Sequence, residues 1–131
     1  VVISTIPVDG SLLLNGSAVL ALDEITIADI DAGNLVFRPV ADENGASYAQ
    51  FNFQVRDDGG TANSGTDLDP VANTVTIDVT SVNDEPAGAD ATIAINEDVP
   101  YTMTVADFGF TDANDTPSND LLNVIIPLAE K

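Results

Sequence analysis

The chain has 131 residues, 44% of them hydrophobic, and a formal net charge of −19 from 22 acidic and three basic residues. That is enough apolar material for a packed core, which excludes global disorder. The charge repels phosphate backbones and anionic lipid, which argues against nucleic acid as a partner and against membrane insertion.

Taken in chain order, almost every patterned segment reads as a strand. The first is Val1-Val2-Ile3-Ser4-Thr5-Ile6. Because the chain starts inside it, the sequence reads as a piece of a longer protein. Ser11-Leu12-Leu13-Leu14 and Ala18-Val19-Leu20 flank Asn15-Gly16, a two-residue hairpin signal. Residues 22–30 are expected to form one short helical turn. Leu35-Val36-Phe37-Arg38-Pro39 follows a turn at Asp31-Ala32-Gly33-Asn34. From Tyr48 to Arg56 the pattern alternates, with Ala49, Phe51, Phe53 and Val55 on one face and Tyr48, Gln50, Asn52, Gln54 and Arg56 on the other. Val75, Ile77 and Val79 alternate with Thr74, Thr76, Asp78 and Thr80 in the same way. Period-2 patterns of this kind indicate half-buried antiparallel strands. Residues 91–95, 101–105 and 121–126 are three further strand candidates, and Pro86-Ala87-Gly88-Ala89-Asp90 reads as a linker. Short strands separated by Gly, Asn, Asp and Pro turns predict an all-β fold, an antiparallel β-sandwich. Ile126-Pro127-Leu128 echoes Ile6-Pro7-Val8, with an apolar strand pattern before each, which implies a repeat period of about 120 residues.

There is no cysteine and no histidine. Disulfides, thiolate zinc sites, thiol nucleophiles and imidazole bases are therefore ruled out. The acids are 17 Asp and five Glu. Aspartate suits turns and short-reach oxygen coordination, so the excess fits β-structure with metal-binding loops. A generally acidic, solubility-tuned surface is the bland alternative. The most telling stretch is Val82-Asn83-Asp84-Glu85-Pro86. It follows the strand pattern at residues 73–80 and sets two oxygen-bearing side chains on a stiff connector, as hard cations such as Ca2+ prefer.

That connector resembles the Asn-Asp-x-x-Pro-type joint between cadherin domains. Phe53-Gln54-Val55-Arg56-Asp57-Asp58-Gly59-Gly60 resembles the strand and Asp-Gly turn that precede the last strand of those domains. Ala106-Asp107-Phe108-Gly109-Phe110-Thr111-Asp112-Ala113-Asn114-Asp115 is similar to the early acidic loop of cadherin-like repeats in very large bacterial (RTX-type) surface adhesins. Residues 28–39 fit those repeats too. The resemblance implies an Ig/cadherin-like Greek-key sandwich in a shifted, permuted register. Residues 1–85 would be the later two-thirds of one repeat and residues 86–131 the first third of the next. It also implies calcium where repeats meet, neighbouring repeats of the same protein as partners, and an extracellular, bacterial cell-surface location serving attachment or biofilm formation.

Under that resemblance, Asn83 and Asp84 would offer side-chain oxygens to calcium. Asp112, Asn114 and Asp115 would form the facing loop, although the family's Asp-x-Asp is replaced by Asp112-Ala113-Asn114-Asp115. Asp57 or Asp58 would close a site at the start of its own repeat, or form a plain Asp-Gly turn. Glu97, followed by Asp98, matches the acidic position near the first strand. Partial repeats leave strand edges unpaired. Closure within one permuted domain, or a strand-exchanged dimer, would satisfy them.

Three function classes follow from these features. A calcium-stiffened structural module is favoured. A carbohydrate- or protein-binding sandwich is the alternative, with only Tyr48 and Tyr101 as candidate surface aromatics. Paired carboxylates can hydrolyse glycosides, but the acids fall on turns with no evident apolar pocket, so an enzyme is not expected.

Overall fold

A computed structural model describes residues 1–127. The chain divides into two compact units, Val1–Ser81 and Val82–Lys131. The first carries every strand of two antiparallel sheets. Its elements are β1 (Val2–Thr5), β2 (Ser11–Leu14), β3 (Ser17–Ala18), the short helix α1 (Ile27–Asp31), β4 (Leu35–Arg38), β5 (Gly45–Gln54) and β6 (Asn73–Val79). One sheet has the order β1-β5-β6 and the other β3-β2-β4. The chain is therefore mostly β with almost no helix, as its alternating patterns predict.

Local chemistry accounts for several of these elements. Asn15 (φ 51) and Gly16 (φ 80) both take left-handed backbone, so the β2–β3 hairpin turns on two residues, as Asn-Gly favours. Thr26 caps α1, accepting from the Asp29 N–H at 3.1 Å. The helix is five residues long and starts later than the sequence suggests, because the cap at Thr26 sets its first turn. At Gly10 (φ +72) a Cβ would lie 2.5 Å from the Phe37 ring and 2.8 Å from the Arg38 carbonyl oxygen. Gly10→Ala is therefore expected to cost about 1–3 kcal/mol through backbone strain and overpacking, read from the urea midpoint of a fragment spanning residues 1–81.

The core draws on both sheets. Ile3 of β1, Leu12 of β2, Phe51 of β5, Val19 and Ile25 form one buried cluster. Leu14, Leu35, Phe37, Phe53, Val75 and Ile77 pack around it. The β5 face expected from alternation is thus the inward one at Ala49 and Phe51, but Val55 lies past the strand end and is exposed. The far side of β1 is also occupied. Ile3 donates to the Asp23 carbonyl at 2.9 Å, Leu22 donates to Ile3 at 2.6 Å, and Ile25 donates to Val1 at 2.7 Å. Residues 22–25 therefore run along the outer edge of β1, whereas β6 is paired with β5 alone.

The network around α1 carries a pH prediction. The Thr26 hydroxyl, then the Asn34 amide, hold the Asp29 carboxyl below its ordinary value of 3.8. A carboxylate depressed on folding adds stability above its unfolded pKa and loses it as pH falls through the folded value. Between about pH 5 and about pH 2, the melting temperature of Asp29→Asn should fall less steeply than that of the parent chain.

The second unit departs from the sequence expectation. Residues 91–95, 101–105 and 121–126 are not strands. Among its described residues, regular structure comprises a short 3-10 helix, Val105–Phe108, and one antiparallel bridge between Ala87 and Thr111. The Asp107 carboxylate accepts from the Thr104 N–H at 2.6 Å and so caps that helix. A strand exists only through ladder bonds to a neighbour. These three segments have apolar, strand-like composition without such a neighbour among the described residues, and Ile95, Met103, Leu122, Ile125 and Ile126 are exposed. The echo at Ile126-Pro127-Leu128 runs to Leu128, which lies outside the described residues.

Candidate metal centre

The Ala87–Thr111 bridge positions this site. Ala87 donates to the Thr111 carbonyl and Thr111 to that of Ala87, both at 2.8 Å. The bridge lays the connector, three residues upstream of Ala87, beside the acidic loop that begins at Asp112. The Asp84 N–H then donates to Asp115 Oδ1 at 3.0 Å. The loop turns at Thr116-Pro117-Ser118 and brings Asn119 back. The Asn119 N–H donates to Asp112 Oδ2. The Asn119 side-chain amide donates to Asp115 Oδ2 at 2.7 Å and to Asn83 Oδ1 at 3.1 Å. A cleft of about 210 Å³ adjoins the cluster, lined in part by Asn83, Asp84, Asp112, Asn119 and Asp120.

Asp112 and Asp115 are only 8% and 7% exposed. Burying a charge is costly unless it is paired or well hydrogen-bonded. No Lys or Arg occurs between residues 82 and 127. The one ion pair among the described residues, Arg56 to Glu24 at 3.1 Å, lies in the first unit. Backbone and amide N–H groups therefore supply the positive partners that the structure gives these two carboxylates.

The site residues expected from sequence divide into two groups. Asn83, Asp84, Asp112 and Asp115 come together in the second unit. Asn114 is exposed and takes no part in their hydrogen bonds. Glu97 sits in an exposed turn of its own. Asp57 and Asp58 belong to the first unit, where Asp57 Oδ1 accepts from the Gly59 N–H at 2.9 Å, the Asp-Gly turn in its plain form. Asn119 was missed. Pro117-Ser118-Asn119 is a turn signal that returns the loop toward Asp112, and it could have pointed to Asn119.

As a donor set for a cation, the cluster offers the Asp112 and Asp115 carboxylates and the Asn83 amide oxygen, with Asp84 on the connector, while Asn119 turns its amide N–H toward them. That chemistry fits a hard cation such as calcium, which accepts carboxylate, amide and carbonyl oxygens together. Among the described residues no three Asp or Glu side chains converge closely enough to hold a metal by themselves, so the amides and main-chain carbonyls would have to complete the shell. Comparison with family models, with curated proteins and with solved structures returns no match to this chain.

Proposed function

We propose that the chain is a calcium-binding structural module of a cadherin-like repeat protein, one of a tandem series in a long bacterial surface adhesin. The observation that carries this reading is the burial of Asp112 and Asp115 beside the Asn83-Asp84 connector without a basic side chain. The two three-stranded sheets sharing one core support an Ig/cadherin-like sandwich as the parent architecture. Location outside the cell and a role in attachment rest on the sequence resemblance.

When bound, calcium would supply the positive charge that the carboxylates otherwise lack. Asp112, Asp115 and Asn83 would hold it, and Asn119 would tie the loop to the connector. Because the site joins the connector to a loop some 30 residues downstream (residue 84 to residue 115), its closure would stiffen the start of the second unit. A ligand that binds only the folded state stabilises it by mass action, by about 2.7 kcal/mol at a concentration 100 times Kd. Calorimetric titration of the whole chain with calcium chloride, with light scattering on the same samples, tests this. Saturable heat that EDTA abolishes is the expected result. Absence of heat at millimolar calcium would remove the proposal.

A further inference from the structure

Asn119 donates three hydrogen bonds across the acidic loop. Its main-chain N–H reaches Asp112 Oδ2. Its side-chain amide reaches Asp115 Oδ2 at 2.7 Å and Asn83 Oδ1 at 3.1 Å. A carboxylate oxygen only accepts, so the amide must face Asp115 with its nitrogen. Both hydrogens of that nitrogen are then committed, one to the loop and one to the connector. On the calcium reading of this site, on which this step rests, we infer that Asn119 is its gate. The amide closes the site through its N–H groups in the metal-free chain, and it turns over to offer Oδ1 when a cation enters.

Asp115 Oδ2 and Asn83 Oδ1 are among the oxygens a cation would take. The amide sets the positive ends of two N–H dipoles on them. Such donors let Asp112 and Asp115, each less than a tenth exposed, be buried in a stretch with no Lys or Arg. The same contacts oppose an ion, because a cation bridging both oxygens has to displace the hydrogens that point at them. Nδ2 and Oδ1 share one carbon, and a half-turn about Cβ–Cγ exchanges them. That torsion is broad and roughly two-fold in asparagine, so the half-turn carries little intrinsic strain. Asn119 is exposed and lines the cleft of about 210 Å³, which gives the amide room to turn. Afterwards Oδ1 becomes one more amide oxygen of the kind calcium accepts, and Asn119 joins the loop to the connector through the ion. Its main-chain N–H stays on Asp112, so the loop keeps its place while the gate opens.

Two measurements on the whole chain test this. The first is heteronuclear NMR with and without saturating calcium chloride. Both Asn119 side-chain N–H signals should shift and lose their protection from solvent exchange, while the Asn119 main-chain N–H keeps its own. Side-chain signals unchanged in a chain that has taken up calcium would overturn the gate and leave the site standing. Loss of protection at the main-chain N–H would overturn it too, because the whole loop would then have opened. A chain that gives no calcium heat would remove the site and the gate together. The second measurement is calorimetric titration of Asn119→Asp. Its carboxylate has no hydrogen to displace and adds a charged ligand, so calcium affinity, which follows ligand charge count, should rise about tenfold. Equal or weaker binding would make Asn119 a tie alone and overturn the gate. If that variant does not fold without calcium, the NMR of the parent chain decides.

Discussion

Asp115→Asn is expected to abolish the rise in melting temperature that calcium produces in the parent chain. Asp115 is the pivot of the site, with one oxygen on the Asp84 N–H and the other on the Asn119 amide. The asparagine has nearly the same shape, but it removes one of two buried negative charges. At about 4 Å, with an effective dielectric constant of about 20, each unit charge pair is worth about 4 kcal/mol. A divalent ion would lose more than the roughly 2.7 kcal/mol that saturating calcium confers at 100 times Kd. The substituted amide also turns an N–H toward one of two donors, so the metal-free unit should weaken by about 1–3 kcal/mol. Scanning calorimetry with and without calcium separates the two effects. Asn114→Ala is the control. Its side chain is exposed and outside the network, so its calcium response should equal that of the parent. If Asp115→Asn kept the full calcium response, the site would have to lie elsewhere.

The largest effect on folding alone should come from Ile3→Ala. Ile3 has no solvent exposure and stands at the centre of the core cluster, where β1, β2 and β5 meet. Removing its branched side chain leaves a cavity among Leu12, Val19, Ile25 and Phe51, with an expected cost of about 2–5 kcal/mol. For a unit of this size that is a large part of the total stability. Urea denaturation followed by circular dichroism would show a lower midpoint with a similar slope. The change should leave calcium heats at the second unit unaltered, because Asn83, Asp112, Asp115 and Asn119 all belong to that unit.

Much of the first unit could be read from the residues. Asn15-Gly16 specifies its hairpin because few other pairs accept left-handed backbone at both positions. The alternation through Phe51 and that of Val75 and Ile77 specify which faces turn inward. The early start of β5 was not legible, because Glu43-Asn44-Gly45 has turn composition and Gly45 becomes strand only opposite Val79. In the second unit the sequence overstated the strands. Residues 101–105 alternate as well as β6 does, but pattern describes one chain segment and a ladder requires two. The candidate site was legible in its acids and not in its donors. Asp112 and Asp115 stand out by charge, whereas Asn119 matters through what the loop brings it to.

The cover along β1 has a further consequence for assembly. Residues 22–25 occupy the outer edge of that strand, so among the described residues the β1-β5-β6 sheet has a single open border, at β6. A sheet with two open borders can add copies without limit, whereas a sheet with one can add a single copy across a twofold axis and then stops. Self-association through this sheet would therefore end at a pair and would not seed a fibre.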